Sequence, residues 1–383
     1  MKDTTTGLGR WVLRTSQEVQ FEVLETVDLL DPENPQLRQV PGGGEAHGPR
    51  LTVLDEAVDE FFGSRVRKYF SVNDSSMSYM TIPAGDEHKT IENVLRVASR
   101  LNEIGTERSG TPPIAMGGGV VQDVVGMAAS LYRRGIPYVR VPTTLLGQID
   151  GSVSAKNGVN FEGFRNRLGT FHPPPLTLID RSFIATLPIR QIRSGMGEVL
   201  KMALIKDPEL FRLLEQFGPM LVEERLQDTG TQTSKSEPGR QVMHRAINGM
   251  SSELQKNLWE KDLLRIVDYG HTFSPTVEMK ARILHGEAVT MGIVYCAALA
   301  LNRGLLPQED YSRIIACAGG MGLQLTHEMF KDVDLLKRAL ADTVRHRGGS
   351  QHLALLTGIG QTTFVEDITA REVEQASQIV QRI

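Results

Sequence analysis

The chain has 383 residues, a length that predicts two or three domains. Apolar residues make up 40% of it and charged residues 23%, so it can bury a core without disulfides or a structural metal. The net charge of −4, with no polybasic block, argues against nucleic-acid binding as the main function.

Three features predict a cytoplasmic protein that does not act at a membrane. The opening MKDTTTGLGRW lacks the apolar region that a signal peptide needs. The most apolar stretch, 288–301, is too short to span a bilayer and is interrupted by Thr290 and Tyr295, so we expect a buried helix there. Cys296 and Cys317 lie far apart in apolar surroundings, which favours core thiols over a disulfide or metal ligands.

In the first half of the chain, short β-rich runs alternate with segments of helical periodicity. This alternation predicts a parallel, Rossmann-like sheet with helices packed on it. The predicted strands are 21–30, 50–54, 68–72, 112–116 and 138–141, and the predicted helices are 90–104 and 120–131.

From about residue 182 onward, helical patterns dominate. The predicted helices are 194–206, 209–217, 241–260, 275–282, 287–302, 308–319 and 332–342, with strands only at 353–356 and 362–364. The polar runs 40–50 and 228–240 are predicted to be surface loops. The sequence thus predicts an α/β nucleotide-binding domain over residues 1–181 and a mainly α-helical domain over residues 182–383.

Two Gly-Gly-Gly triplets differ in their surroundings. The triplet at 42–44 has no strand or helix pattern beside it and is predicted to be a flexible loop. Gly117-Gly118-Gly119 lies between an apolar strand and a helix, where backbone N–H groups could approach a pyrophosphate. Taken alone, the second triplet is explained equally well by a tight strand-to-helix turn.

Polar residues near the second triplet favour a cofactor crevice. Asp123 is expected within the first turn of the following helix, and Asp55 ends an earlier strand, where a ribose-binding acid belongs. Thr143 and Thr144 follow the next strand, so their hydroxyls open onto the edge of the sheet where ligands bind.

The glycine-rich stretch 148–169 is predicted to be a loop leaving the same edge of the sheet. It carries Asp150, Lys156, Arg165 and Asn166. A solvated loop is one interpretation, and a set of substrate contacts is the other. Lys156 and Arg165 are natural partners for a phosphate group.

Glu198, His271 and His285 are candidate metal ligands. Glu198 and Lys201 share one face of an apolar helix, which alone would indicate only a surface ion pair. His271 and His285 each precede a predicted helix, where a single histidine is usually a cap or a core residue. Together, two His and one Glu form the ligand set of a catalytic zinc site with an open position.

Arg345-His346-Arg347 is a short basic cluster ahead of the predicted strand at 353–356. A solvated turn is the default interpretation, and an anion site that faces phosphate is the alternative.

Five stretches resemble the sugar phosphate cyclases, the dehydroquinate synthase superfamily, over about Leu51 to Gly360. They are GGGVVQDVVGMAASLYRRGIPYVRVPTTLLGQID, KNGVN, GMGEVLKMALIKD, DYGHTFSPTVEM and LHGEAV. Within that superfamily, YGHTFSPTVEM, LHGEAV and DTVRHR are most similar to 2-epi-5-epi-valiolone synthases. The resemblance implies a dehydroquinate synthase-like fold and a homodimer.

The resemblance also implies roles for individual residues. Zn²⁺ or Co²⁺ would be bound by Glu198, His271 and His285. NAD would be bound by Asp55, Glu87, Lys89, Gly118, Gly119, Asp123, Thr143, Thr144, Lys156 and Thr186. The substrate would face Asp150, Asn166, Lys201, Asp268, Arg345 and His346, together with Arg165, and the catalytic set would be Lys156, Lys201 and Asp150.

Two departures from the dehydroquinate branch bear on the substrate. Asp268 stands where that branch has Asn, and Pro275 stands where it has a second His. These changes argue against the shikimate-pathway substrate and for a heptulose phosphate. The implied reaction converts sedoheptulose 7-phosphate into 2-epi-5-epi-valiolone and phosphate, in C7-cyclitol biosynthesis. It combines transient oxidation by NAD, phosphate elimination, reduction and aldol closure.

Alternatives stay open at this point. Gln148 and the SVSAKNG run differ from the GVGAKTG-like run of valiolone synthases, so a 2-epi-valiolone synthase or another sugar phosphate cyclase is one alternative. A metal-dependent NAD polyol dehydrogenase would share the glycine turn and the histidine-rich helical domain. A relative that binds without catalysis is disfavoured by the intact Glu198, Lys201, His271 and His285.

Overall fold

The structure is a computed structural model, and it describes residues 10–38, 48–73, 76–229, 237–346 and 349–383. The glycine triplet at 42–44, most of the predicted loop at 40–50, and residues 230–236 of the predicted loop at 228–240 lie outside the described residues. So do Arg347 and the side chain of His346.

The described residues form ten strands. They are β1 (Glu22–Thr26), β2 (Arg50–Asp55), β3 (Met77–Ile82), β4 (Ile114–Gly117), β5 (Val139–Pro142), β6 (Lys156–Phe161), β7 (Phe164–Phe171), β8 (Leu176–Asp180), β9 (Leu353–Gly358) and β10 (Gln361–Val365). Six of them make one parallel sheet in the order β1-β8-β5-β4-β2-β3, and the other four form two antiparallel hairpins. The predicted Rossmann-like sheet is confirmed.

Twelve α-helices are present in the same residues. They are α1 (Glu56–Asn73), α2 (Ile91–Glu103), α3 (Gly119–Leu131), α4 (Leu145–Ile149), α5 (Ile189–Ile205), α6 (Pro208–Glu223), α7 (Pro238–Leu254), α8 (Ser274–Ala281), α9 (His285–Asn302), α10 (Gln308–Gly320), α11 (Val333–His346) and α12 (Ala370–Val380). Separate apolar clusters cover the two faces of the sheet, and a larger one fills the helical half. The predicted mainly helical second half is confirmed.

The sheet has a topological switch point between β2 and β4. After β3 adds to one side of β2, the chain crosses back and places β4 on the other side. In open parallel sheets, ligands bind outside the carboxyl ends of the strands at such a point. Asp55 ends β2, and Gly117 ends β4, so the switch point falls at the predicted cofactor residues.

Residues 68–72 were predicted to be a strand, and this prediction is wrong because they belong to α1. Phe62, Val66, Tyr69 and Phe70 are all buried, at the spacing of one helix face. The aromatic and β-branched residues at the end of the segment mimic a strand when they are considered without the preceding turn.

The prediction of a loop over residues 148–169 is also wrong, because most of this stretch forms the antiparallel hairpin of β6 and β7. Its two-residue turn consists of Glu162 (φ 49°) and Gly163 (φ 78°), the left-handed pair that matches the twist of a hairpin. Glu-Gly is a weaker hairpin signal than Asn-Gly, and the glycines at 158 and 169 obscure the alternation. β3, β8, α4 and α12 were also not predicted from the sequence.

Two helices approach each other closely in the helical half. A Cβ added at Gly286 of α9 would lie 1.7 Å from the carbonyl oxygen of Ser194 in α5, and one at Gly197 would lie 2.5 Å from the carbonyl oxygen of Gly286. Only glycine allows this contact. It brings the middle of α5 against the first turn of α9.

The predicted buried helix over 288–301 is present as the interior of α9, where almost every residue is buried. Cys296 and Cys317 are buried free thiols, as predicted. Among the described residues, no helix combines the length and the apolar character needed to cross a membrane.

Candidate active site

The structure brings Glu198, His271 and His285 together from three separate segments. Glu198 lies in the middle of α5 and is 1% exposed, whereas the two histidines are half-buried. His271 precedes α8, and His285 is the first residue of α9. Within the described residues, these three form the one group of His, Cys, Asp or Glu side chains spaced to hold a metal ion.

The ligand atoms of these residues form a nearly equilateral triangle. Nε2 of His271 lies 3.4 Å from Oε1 of Glu198, Nε2 of His285 lies 3.3 Å from the same oxygen, and the two Nε2 atoms are 3.4 Å apart. Zinc–ligand bonds of about 2.0–2.1 Å in a tetrahedron place neighbouring ligands about 3.3–3.4 Å apart. The residues therefore fit a zinc ion with one position left for another ligand.

Hydrogen bonds at the other ring nitrogens support this fit. Nδ1 of His271 lies 3.2 Å from the carbonyl oxygen of Tyr269, and Nδ1 of His285 lies 3.2 Å from Oε2 of Glu278. Each Nδ1 therefore carries the proton and donates it, which leaves the Nε2 lone pair free. The two Nε2 lone pairs and Oε1 of Glu198 then face one another with no proton between them, and a bound cation would stabilise this arrangement.

Lys201 forms a buried ion pair with Glu198, one helical turn away. Lys201 is 3% exposed, so the pair is not the surface ion pair that these two residues alone would suggest. Burial would raise the pKa of Glu198, but the Lys201 ammonium beside it holds that pKa well below its usual range. Burial would lower the pKa of Lys201, but Glu198, Asp150 and Asp268 raise it, so the ammonium stays charged.

The predicted cofactor residues Asp55, Gly118, Gly119, Thr143 and Thr144 lie at the carboxyl edge of the sheet. A Cβ at Gly118 would come within 3.0 Å of the Thr144 side chain, whereas one at Gly119 would meet nothing within 4 Å. Gly119 therefore exposes its backbone at the start of α3, where N–H groups can face a phosphate. Burial raises the pKa of Asp55.

A second group of predicted site residues consists of Lys89, Asp123 and Asn166, which contact one another. Nζ of Lys89 forms an ion pair with Asp123 and donates to Oδ1 of Asn166 at 2.6 Å. Asp123 also accepts a hydrogen bond of 3.3 Å from the N–H of Gly158 in β6. Asp123 lies in the second turn of α3, not the predicted first turn, because the helix begins at Gly119.

Two other predicted cofactor residues are exposed. Glu87 lies on the turn between β3 and α2, next to Lys89. The hydroxyl of Thr186 donates to the carbonyl oxygen of Phe183 at 3.2 Å, on the turn that follows β8.

The hairpin residues Lys156 and Arg165 are each held by carboxylates. Lys156 is exposed, and its Nζ lies 2.8 Å from Glu260. Arg165 uses one terminal nitrogen for Asp86, at 2.7 Å, and the other for Glu278. Arg165 and its neighbours hold the pKa of Asp86 below its usual range, although burial acts to raise it.

The remaining predicted substrate residues fall into two groups. Asp150 and Asp268 are close enough to Lys201 to raise its pKa, and Asp268 also pairs with Arg265 at 2.8 Å. Arg345 is exposed near the end of α11 and pairs with Asp342 of the same helix. His346 is the last residue of that helix.

Sequence reasoning missed three residues of this site. Glu278 accepts from a candidate metal ligand, Asp86 holds Arg165, and Arg265 pairs with Asp268. Glu278 stands within the quoted stretch DYGHTFSPTVEM, and its position seven residues before His285 was the available signal. The partners of Asp86 and Arg265 depend on the tertiary fold.

Comparisons with known proteins agree with this geometry. Residues 79–194 match the family described as 3-dehydroquinate synthase N-terminal, and residues 195–344 match 3-dehydroquinate synthase C-terminal. The chain therefore belongs to the 3-dehydroquinate synthase family of sugar phosphate cyclases, as the resemblance predicted.

Particular relatives narrow the comparison within that family. A 2-epi-5-epi-valiolone synthase of Streptomyces albus is 44% identical, with 100% of this chain and 95% of the relative covered. A 3-dehydroquinate synthase of Synechococcus is 32% identical, with 86% and 88% covered. The solved structure of the 2-epi-5-epi-valiolone synthase ValA of Streptomyces hygroscopicus has NAD⁺ and Zn²⁺ bound. It is 43% identical, with a TM-score of 0.90 over 97% of this chain and 99% of that one.

Proposed function

We propose that the chain is a phosphorus–oxygen lyase that cyclises sedoheptulose 7-phosphate to 2-epi-5-epi-valiolone and releases phosphate. The observation that carries the proposal is the triangle of Glu198, His271 and His285 beside the buried Lys201. It occurs in a chain that is 44% identical over its whole length to a 2-epi-5-epi-valiolone synthase. The place of such a reaction is the biosynthesis of C7 cyclitols, including those of antibiotics.

Two bound groups would supply chemistry that side chains lack. Zn²⁺ or Co²⁺ would lower the pKa of a substrate hydroxyl, and NAD would accept a hydride and later return it. Glu198, His271 and His285 would hold the metal. NAD would be held by Asp55, Glu87, Lys89, Gly118, Gly119, Asp123, Thr143, Thr144, Lys156 and Thr186.

Lys201 would donate hydrogen bonds to the substrate oxygens and assist proton transfer. Its charge is maintained by Glu198 and Asp150, so the ammonium is available as a donor at neutral pH. Lys156 and Arg165 would face the phosphate, while Asn166, Asp268, Arg345 and His346 would complete the substrate contacts. Asp268, which Arg265 holds in place, brings a carboxylate to a position where the dehydroquinate branch has Asn, and this supports a substrate without a carboxylate at that place.

The arrangement of the whole protein is part of the same proposal. The NAD-binding domain would end at residue 181, just after β8 completes the sheet, and the metal- and substrate-binding domain would begin at residue 182. We place the enzyme in the cytoplasm as a homodimer, with no nucleic-acid or membrane partner.

Product analysis tests the proposal. The purified chain is incubated with NAD⁺, Zn²⁺ and sedoheptulose 7-phosphate, and the product is identified by ¹³C NMR alongside a phosphate assay. The expected spectrum is that of 2-epi-5-epi-valiolone. The spectrum of 2-epi-valiolone would overturn the assigned stereochemistry, and an oxidised polyol without phosphate release would indicate a dehydrogenase.

A further inference from the structure

Glu278 is a buried carboxylate whose two partners come from different elements, α9 and β7. It is 5% exposed and lies on the inner face of α8. Its Oε2 is 3.2 Å from Nδ1 of His285, and its Oε1 pairs with a terminal nitrogen of Arg165. A carboxylate withdrawn from water in this way is costly unless charged or hydrogen-bonding groups compensate it.

Arg165 reaches this carboxylate from a different part of the fold. It lies on β7, and its second terminal nitrogen holds Asp86 at 2.7 Å. Asp86 in turn accepts a hydrogen bond of 2.9 Å from the side-chain amide of Asn160 on β6. The Arg165 guanidinium therefore lies between two carboxylates, and its contact with Asp86 restricts the side chain to the conformation that reaches Glu278.

We infer that Glu278 and Arg165 are a positioning pair that sets the affinity of His285 for the metal. Glu278 accepts the Nδ1 proton, so the Nε2 lone pair faces Glu198 and His271, and the carboxylate makes the imidazole a better donor to a cation. Arg165 compensates the buried charge of Glu278 through the ion pair with its second oxygen. This inference rests on the metal site of the proposed function.

The choice of arginine at position 165 follows from the geometry. A guanidinium can present separate nitrogens to two carboxylates, whereas an ammonium offers one nitrogen at the end of a flexible stem. Lysine at this position would therefore keep the charge and lose one of the two contacts. Arg167, two residues further along β7, lies over the ring of Phe164 at 5.2 Å and provides a matched control.

The test measures zinc binding by chelator competition in the full chain, with Zn²⁺ as the probe and no sugar phosphate present. We expect Glu278→Gln to raise the zinc Kd by roughly 10–100-fold, and Arg165→Met to raise it on the order of 10-fold. The zinc Kd of Arg165→Lys should lie between those of Arg165→Met and the parent, and the zinc Kd of Arg167→Met should equal that of the parent. Melting temperatures recorded with excess chelator check that each variant is folded.

The outcomes separate this inference from the proposed function. A parent chain that binds no zinc would remove the metal site and the inference with it. A parent that binds zinc, with folded Glu278→Gln and Arg165→Met variants of the same Kd, would overturn the positioning pair alone. A lower melting temperature with an unchanged zinc Kd would assign both residues a purely structural role, and would equally overturn it.

Discussion

Burial separates the Glu198–Lys201 pair from the other ion pairs with the same spacing along a helix. The side chains of Arg100 and Glu103 also pair at i,i+3, but they are 40% and 61% exposed, against 1% and 3% for Glu198 and Lys201. Exposed pairs of this kind contribute at most about 1 kcal/mol to stability. A buried pair is costly to desolvate, so we attribute its presence here to the chemistry of the site.

Replacing Lys201 by methionine tests this attribution. Lys201→Met keeps the volume of the side chain and removes the ammonium. We expect kcat to fall by roughly 100-fold or more, because a positioned proton donor contributes about that much. Zinc binding should persist, since the substitution removes a cation next to Glu198. Activity within threefold of the parent would contradict the role of Lys201.

His271 is the histidine whose loss should remove the metal without disturbing the core. His271 is half-buried, and its Nδ1 contacts only the neighbouring carbonyl of Tyr269 in the described structure. We expect His271→Ala to lose bound zinc and turnover while its circular dichroism spectrum matches that of the parent. Normal turnover in this variant would refute the metal assignment.

At the level of elements, the close approach of α5 and α9 positions two of the proposed metal ligands. The Ser194 carbonyl lies against the Cα of Gly286, and the Gly286 N–H donates to the Ser194 hydroxyl at 3.1 Å, so Glu198 and His285 face the same space. We expect Gly286→Ala to destabilise the chain by about 3 kcal/mol, because the added methyl group forces the two helices apart. Zinc affinity should fall in parallel. Urea unfolding and chelator competition measure the two effects.

Gly319→Ala in α10 is the control for that substitution. A Cβ there would lie 3.7 Å from Leu325, an ordinary contact, so we expect stability equal to the parent or up to about 1 kcal/mol higher. Equal stability of Gly286→Ala and Gly319→Ala would show that the helix contact can relax without cost.

The cap of α12 gives a prediction for pH. The hydrogen bond from Arg303 and the cap at Thr369 lower the pKa of Glu372 from 4.5 to about 2. The pKa of Glu372 is lower in the folded chain than in the unfolded chain. The ionised side chain therefore contributes its full share of the free energy of unfolding above pH 4.5, and this contribution is lost as the pH falls towards 2. Glu372→Gln should cost about 1 kcal/mol at pH 7.

Denaturant unfolding across this pH range tests the sign of the effect. The difference in the free energy of unfolding between the parent and Glu372→Gln should become smaller as the pH falls below 4.5. The exposed Glu374 on the same helix provides a control, and Glu374→Gln should match the parent at each pH. A gap that widens on acidification would contradict the assignment.

Local patterns predicted most elements of the fold, and long-range contacts explain the failures. Apolar periodicity located α2, α3 and α9, and glycine between strand and helix located the turn before α3. The hairpin of β6 and β7 was missed because Gly158 lies against Asn166 of β7 and Gly169 lies against the backbone of β6, and the sequence does not display these contacts. α1 was mistaken in part for a strand because its final turn is rich in aromatic residues.

The same distinction applies to the site. The residue types predicted that Glu198, His271 and His285 come together, although Glu198 and His285 are 87 residues apart, because two His and one Glu are a recognisable candidate ligand set. The role of Glu278 was not predictable in this way, since a glutamate on a short helix is ordinary until its partners are known. Residues that act through other residues carry little signal in a single sequence.

At the scale of the whole molecule, the two halves would supply different parts of the proposed reaction. The sheet presents Asp55, Gly119 and Thr143 at its carboxyl edge, and the helical half presents Lys201 and the proposed metal ligands. Arg165 joins them, because it pairs with Asp86 beside the sheet and with Glu278 beside His285. This arrangement suits a cofactor that oxidises and then reduces the same substrate without leaving.

The most direct test of this account is the stoichiometry of NAD. Phosphate release from sedoheptulose 7-phosphate is measured with NAD⁺ far below the substrate concentration, while the NADH absorbance band is followed in the same cuvette. We predict many phosphates released per NAD⁺ with no net NADH. Accumulation of NADH in step with substrate consumption, without phosphate, would contradict the account and indicate a polyol dehydrogenase.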